Sequence, residues 1–212
     1  MAKKKDKAVA ADAELSKPSR LKTQYEEQVR EGLAKEFGVA NPMAMPRLEK
    51  VTINVNVGRH LDGTKVPVSV REAVIHTLTV ISGQKPVMIR AKKSVSNFKV
   101  REGYETAFKV TLRRDQMWHF LDRLVNLATP RIKDFRGLSR KSFDRQGNYS
   151  MGLNEQGVFP EINMAEQSFT HGMNINMVFR NSNEKMSEYV LESLGMPFKK
   201  KADAKQTEAT QS

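Results

Sequence analysis

Cysteine is absent from the 212 residues. That excludes a disulfide framework, a thiol nucleophile and any zinc or iron–sulfur site built on sulfur ligands. No apolar run approaches the roughly 18 residues that a membrane-spanning helix needs, so no membrane partner is expected. Histidine is scarce: His60, His76, His119 and His171 lie far apart without ligand spacing, and each reads as a surface or helix-face side chain. Also missing are a G-x-x-x-x-G-K-[ST] phosphate loop, a G-x-G-x-x-G turn, a serine nucleophile elbow and an H-E-x-x-H helix. Glu26 and Glu27 fall on the exposed side of a helix and form no paired-carboxylate site. No catalytic residue, metal or cofactor is therefore expected. The N-terminal stretch MAKKKDKAVAADAELSKPSR has no apolar centre and is not expected to act as a secretory signal. Without a secretory route, the glycosylation pattern at Asn148-Tyr149-Ser150 is coincidental.

What is abundant is positive charge, and it is localised. The chain carries a net charge of +12 with 39% hydrophobic residues, enough to bury a proper core. Arg90–Arg114 (RAKKSVSNFKVREGYETAFKVTLRR) holds eight basic residues against two acidic ones. Pro130–Ser150 adds Arg131, Lys133, Arg136, Arg140, Lys141 and Arg145 against Asp134 and Asp144. The tails contribute +3 (Met1–Arg20) and +2 (Lys199–Ser212), and the remainder is slightly acidic. Charge gathered in two internal patches is the footprint of phosphate neutralisation. Neither patch has the amphipathic helix of a membrane-surface binder.

Periodicity places the elements. Residues 19–37 read as a helix with Leu21, Tyr25, Val29, Leu33 and Phe37 in one stripe, closed by Gly38. Residues 47–57 read as a strand with Val51, Ile53, Val55 and Val57 inward. A turn at 58–63 leads to a helix at 67–81, with Val70, Val74, Leu78 and Ile81 buried and Gly83 at its end. A short strand at 86–89 feeds a basic, flexible loop and then a strand that alternates from Tyr104. Tyr104, Thr106, Phe108, Val110 and Leu112 take one face, and Glu105, Ala107, Lys109, Thr111 and Arg113 the other. Asp115 is expected to cap a third helix that stops before Pro130. Residues 130–150 have no clear period and read as a long ordered or semi-mobile loop, of a length that is usually functional or disordered, with Phe135, Phe143 and Tyr149 favouring order. The last strand spans 172–180, and Ser182 is expected to cap a final helix that ends at Gly195. The methionines of the helices and the last strand fall at core positions.

Helices and alternating strands without regular β-α-β order point to an α+β fold, an antiparallel sheet with helices packed on one face. The expected organisation is a single domain at 19–198 between disordered basic tails, 1–18 and 199–212. Three strands carry hydrogen-bonding groups on the face away from the core: Thr52, Asn54 and Asn56; Lys109, Thr111 and Arg113; Asn174, Asn176 and Arg180. A solvated face would also be polar. Asparagine is a poor strand residue, however, and four on two such faces favour a platform for folded RNA. Arg101-Glu102-Gly103-Tyr104 with Phe108 partly matches the aromatic signature of single-strand RNA-binding sheets. Its spacing is wrong and both aromatics alternate onto the apolar face, so they read as core.

Longer stretches carry a resemblance. Ser82-Gly-Gln-Lys-Pro86, Ala91-Lys-Lys-Ser-Val95, Phe98-Lys99, Gly103-Tyr104, Lys109-Val-Thr-Leu-Arg113, Pro130-Arg-Ile-Lys-Asp-Phe-Arg-Gly-Leu-Ser139, Lys141-Ser-Phe-Asp144, Gly147-Asn-Tyr-Ser-Met-Gly152, Phe159-Pro-Glu-Ile162 and Gly195-Met-Pro-Phe198 resemble the bacterial members of the 5S rRNA-binding family of large-subunit ribosomal proteins, the family numbered five, over about residues 21–198. The resemblance implies a structural, non-enzymatic protein of the cytoplasmic ribosome. It would sit in the central protuberance and attach 5S rRNA to large-subunit rRNA beside neighbouring central-protuberance proteins.

Carried over by motif, the 5S rRNA contacts are Asn54, Gln84 and Thr111, with Thr52, Lys109 and Arg113 on the same polar face. The loop of Lys92, Lys93, Ser94, Ser96, Asn97, Phe98, Lys99 and Arg101 corresponds to the part that contacts peptidyl-site tRNA. Arg131, Lys133, Arg136, Arg140, Lys141 and Arg145 lie in the segment that corresponds to the rRNA-facing bridge to a small-subunit head protein. Asn56 replaces the family's usual glycine, Asn174 its usual aspartate, and Val178–Ser182 depart from its threonine-rich pattern. Two rival readings, an RNA-modifying enzyme and a free protein regulator, have no motif to support them.

Overall fold

The computed structural model describes residues 19–39, 41–58, 66–98, 100–165, 167 and 169–199. The expected tails, 1–18 and 199–212, lie outside the described residues except for Lys199, as do most of the 58–63 turn, with His60, and Lys99. Five strands form one antiparallel sheet: β1 (Arg47–Asn56), β2 (Val87–Arg90), β3 (Glu105–Leu112), β4 (Tyr149–Leu153) and β5 (Met173–Arg180), in the order β2-β3-β1-β5-β4. The fold class is the one read from the alternation of polarity. Val51, Ile53 and Val55 of β1, Phe108, Val110 and Leu112 of β3, and Met173, Ile175, Met177 and Phe179 of β5 join the helices in a single apolar cluster. Each fully buried aliphatic side chain there contributes about 1.5–3 kcal/mol.

Helix α1 runs as Arg20–Gln24, a π-helical turn Tyr25–Val29, and Arg30–Phe37. Its apolar residues recur every four positions. A regular α-helix turns about 100° per residue, so each such step overshoots by about 40° and the stripe should wind off the core. The π turn takes up an extra residue and resets the phase. Leu21, Tyr25, Val29 and Leu33 are all buried as a result, and Phe37 is half-buried. The Tyr25 ring packs 5.5 Å from Trp118, and its hydroxyl donates to the Pro46 carbonyl at 2.6 Å.

Helix α2 (Val68–Ser82) buries Val74, Leu78 and Ile81, and Gly83 ends it in a left-handed conformation. Helix α3 (Arg114–Arg123) continues through a π turn (Leu124–Ala128) into a 3-10 turn (Thr129–Arg131). It therefore does not stop before Pro130. Proline fits in the first turn of the new segment, where no backbone donor is required, and the Thr129 hydroxyl donates to the Leu124 carbonyl at 2.7 Å. Asp115 is not the cap of α3. Arg113 holds that position, and Asp115 sits in the first turn, paired with Lys22 at 3.0 Å.

Helix α4 (Glu184–Ser193) has Asn183 at its cap position, and the Ser182 hydroxyl instead shares a hydrogen bond with Ser187 Oγ at 2.7 Å. Tyr104 precedes β3 and is only half-buried, whereas Phe108 is core as expected.

The 130–150 stretch has more structure than its lack of period suggested. A 3-10 turn (Arg140–Ser142) leads into a hairpin whose second arm is β4. The rings of Phe143, Tyr149 and Phe198 pack 4.6–5.8 Å apart. The backbones of Leu138, Pro197 and Lys199 bond to one another at 2.9 and 3.0 Å, strapping the end of the domain to this stretch.

Tyr149 is 1% exposed, and its hydroxyl donates to the Ser139 carbonyl at 3.0 Å. Burial pushes its pKa up to about 12, only partly offset by Ser142. An acid whose folded pKa lies above its unfolded value stabilises the fold fully below the unfolded pKa, and that contribution is lost as pH rises toward the folded one. Between pH ~10 and ~12, stability should fall by about 2–3 kcal/mol through this group. Urea unfolding at both ends of that window checks it. Tyr149→Phe should remove most of the alkaline loss while lowering stability at neutral pH by about 1 kcal/mol.

Residues 154–172 return the chain from β4 to β5. Gln156 is fully buried; its amide donates to the Phe169 carbonyl at 2.7 Å and its oxygen accepts from the His171 N–H at 2.7 Å. Phe159 and Ile162 enter the core. Arg123 ties the outside of the loop down, reaching Glu161 and the Ile81 carbonyl, both at 2.7 Å. His171 is therefore neither a surface nor a helix-face residue but a buried one, placed by this clamp.

Candidate nucleic-acid interface

Antiparallel register sets the polar side chains in rows. Thr111, Thr52, Asn176 and Ser150 stand opposite one another across β3, β1, β5 and β4. The adjacent row is Val87, Lys109, Asn54, Asn174 and Gly152, crossing all five strands. Alternation forces this arrangement: once Val51, Ile53 and Val55 face the core, Thr52 and Asn54 must face away. All the helices lie with the core, so these rows remain open. They floor a shallow depression of about 440 Å³ lined by Thr52, Asn54, Lys109, Ser150, Asn174 and Asn176, among others. Among the described residues, the side chains of Thr52, Asn54, Thr111, Asn174 and Asn176 make no hydrogen bond to another protein group; Asn174 is exposed, Asn54, Thr111 and Asn176 are half-buried, and Thr52 is buried in the floor of the depression.

The other expected contacts surround these rows. Exposed Arg113 continues β3 in extended conformation into α3. Gln84 is exposed just before β2; Ser82 Oγ accepts from its N–H at 3.1 Å and donates to its carbonyl at 2.9 Å. Asn56, two residues beyond Asn54, uses its side-chain oxygen to accept the Gly58 N–H at 2.8 Å.

The basic loop is an ordered extension of the β2–β3 hairpin rather than a flexible one. Ala91 and Val95 donate to the carbonyls of Tyr104 and Val100, each at 2.8 Å, and the Glu102 N–H donates to Ser94 Oγ at 3.0 Å. Ser96–Phe98 form a 3-10 turn at its tip. Lys92, Lys93, Ser94, Ser96, Asn97 and Arg101 are exposed, and the Phe98 ring is 75% exposed. Among the described residues, none of Lys92, Lys93 and Arg101 is paired with a carboxylate. An apolar ring held in water among unpaired cations suits a partner that offers both phosphates and flat faces.

The second basic segment divides. Arg131, Arg136 and Arg145 are exposed, as is Lys141. Lys133 lies 4.0 Å from Glu155, a mostly exposed pair worth little. Arg140 is engaged by the fold. It bonds Glu188, lies 3.1 Å from Glu192, donates to the Lys199 carbonyl at 2.9 Å and stacks 5.3 Å over Phe198. At the hairpin turn, burial raises the Asp144 pKa, but hydrogen bonds from the Asn148 side chain and the backbone of Asn148 and Gln146 bring it below its ordinary value. Asn148 is thus absorbed into the turn and into a bond to the Phe179 N–H at 3.0 Å.

Sequence reasoning missed Ser150 and Gly152 on the polar rows. Their signal was the alternation of Tyr149, Met151 and Leu153, which are buried, with Ser150 and Gly152, which are exposed. Five residues with a glycine among them are too short a pattern to separate from the loop around them.

Fold and surface together define a class: a basic α+β domain that presents an open, hydrogen-bonding sheet and cationic loops instead of a cleft with converging reactive groups. Comparison with known proteins narrows this. Residues 41–101 match the family described as Ribosomal protein L5, and residues 105–198 match the model of that ribosomal family's C-terminus. The Large ribosomal subunit protein uL5 of Wolinella succinogenes is 48% identical over 180 residues, covering 85% of this chain and 96% of that protein. Those of Campylobacter jejuni (47% over 181 residues, 85% and 98% covered) and Helicobacter pylori (46% over 180 residues, 85% and 97% covered) are similar. The chain belongs to the ribosomal L5 family, and as such is a structural, non-enzymatic component of the large ribosomal subunit.

Proposed function

We propose that the chain attaches 5S rRNA to the large subunit through its open sheet face. The hairpin loop contacts peptidyl-site tRNA, and the 131–149 segment meets rRNA and bridges to a protein of the small-subunit head. Neighbouring proteins of the central protuberance complete its surroundings. The observation that carries this reading is the pair of cross-strand rows, with Lys109 among amides and hydroxyls that have no hydrogen-bond partner among the described residues. Folded RNA offers such a face 2′-hydroxyls, phosphate oxygens and base edges. The surrounding cations supply the salt-dependent part of the affinity by releasing counterions. Arg140 is left out of the RNA-facing set because carboxylates already hold it.

Asn54→Ala and Thr111→Ala should each weaken 5S rRNA binding by about 1–2 kcal/mol, the ordinary cost of a lost polar contact. A gel-shift titration measures this at fixed salt. Unchanged titrations for both variants would remove the sheet face from the binding surface.

A further inference from the structure

At one end of the polar rows a separate cavity of about 370 Å³ opens between β1, β4 and the clamped loop that leads into β5. Among the described residues, Asn56, Asn154, Asn174, Phe169 and His171 belong to its lining, and no aspartate, glutamate, lysine or arginine does. We propose that this cavity seats one unpaired purine base, adenine by preference, of the RNA held on the sheet, an inference that rests on the RNA-binding reading above.

The walls select against other ligands. A phosphate is held best by cations, and a charged side chain needs a counter-ion; among the described residues the lining supplies neither an ammonium, a guanidinium nor a carboxylate. His171 brings no charge. It is 6% exposed, burial lowers its pKa below the ordinary histidine value, and its Nδ1 lies 3.3 Å from the Gly172 carbonyl. In the neutral ring Nδ1–H donates there, leaving Nε2 a buried acceptor without a partner. Carboxamides offer the paired donor and acceptor that match the N6 and N7 edge of adenine. The Asn56 oxygen is held by Gly58, so its NH₂ donors remain. The Phe169 and His171 rings, 6.0 Å apart at 28°, add aromatic surface to the lining.

Gly152 is the independent sign. It stands in mid-strand in the polar row and borders this cavity as well as the central depression. Its backbone does not require glycine, and an added Cβ would make only an ordinary contact, 3.5 Å from Asn174 Oδ1. A strand glycine that the fold does not need marks a place where something else comes close.

The test is heteronuclear NMR of the full chain titrated with adenosine 5′-monophosphate and hexa-adenylate, with ribose 5-phosphate as control. Both adenine probes should shift the side-chain amides of Asn56 and Asn154 and the backbone amide of His171, and ribose 5-phosphate should not. Asn154→Ala should weaken the response about tenfold, and Gly152→Val, which fills the floor with a strand-compatible side chain, by at least as much. Absence of these shifts at millimolar probe overturns the proposal, as do equal shifts with ribose 5-phosphate. No 5S rRNA is used. A chain that gives the shifts yet fails to retain 5S rRNA overturns the proposed function, and one that retains 5S rRNA without the shifts overturns only the base site.

Discussion

Asn54→Asp should reduce 5S rRNA binding by about 2–4 kcal/mol, about thirtyfold or more, with the fold retained. Asn54 stands in the centre of the polar row, between Lys109 of β3 and Asn174 of β5. The substitution swaps an NH₂ donor for a carboxylate where phosphate oxygens and base edges would lie. A contact is thereby lost and a repulsion introduced, and the repulsion makes the effect larger than truncation to alanine. The cost to the protein is small, because Lys109 stands opposite Asn54 in the same row and receives the new charge. Circular dichroism should therefore be unchanged while filter binding at moderate salt fails. The loop provides the contrast. Lys92→Ala/Lys93→Ala/Lys99→Ala should keep most of the 5S rRNA binding and weaken tRNA-dependent function on assembled subunits. Equal loss of both activities in the loop variant would contradict the division of labour between sheet and hairpin.

The polar rows were legible in the sequence because β1, β3 and β5 alternate in polarity and bury Val51, Ile53 and Val55, Phe108, Val110 and Leu112, and Met173, Ile175, Met177 and Phe179 on one face. Parity alone then puts Thr52, Asn54, Lys109, Thr111, Asn174 and Asn176 on the other. Strand order and register were not legible. They arise from pairings far apart in the chain, such as Asn54 with Lys109 and Asn174, that no local pattern encodes. The two helix caps failed for a related reason. Asp115 and Ser182 are good capping residues in isolation, but each has another partner, the distant Lys22 for Asp115 and Ser187 in the next turn for Ser182, that competes for its oxygen. The π turns escaped notice although the four-residue spacing in α1 was visible. That spacing is incompatible with a straight α-helix on one face, and the discrepancy was itself the signal. The buried end of the sheet, with Gln156 clamping Phe169 and His171, was the least legible part. A lone histidine in a loop carries no periodicity that could report its burial.

Gly147→Ala should destabilise the protein by about 3–5 kcal/mol, whereas Gly103→Ala, at an almost identical backbone angle, should cost only about 1–2 kcal/mol. The pair separates two reasons for glycine. Gly103 has φ +83° with nothing within 4 Å of an added Cβ, so alanine meets only the intrinsic penalty of the left-handed region. Gly147 has φ +77°, and a Cβ there would lie 2.6 Å from Ser187 Oγ and 2.8 Å from the Asn183 carbonyl oxygen. That contact is the seam between the Asp144–Asn148 turn and the start of α4. It cannot give way easily, because Asp144 holds the turn through the N–H groups of Gln146 and Asn148, and Asn183 begins the helix. Displacing the turn would also disturb Tyr149 and the ring cluster beneath it. In a domain of this size such a loss lowers Tm by about 6–20 °C. Thermal and urea unfolding of the two variants side by side measure it. Equal losses would mean that α4 yields to the turn, and that the second basic segment is not held in place by this seam.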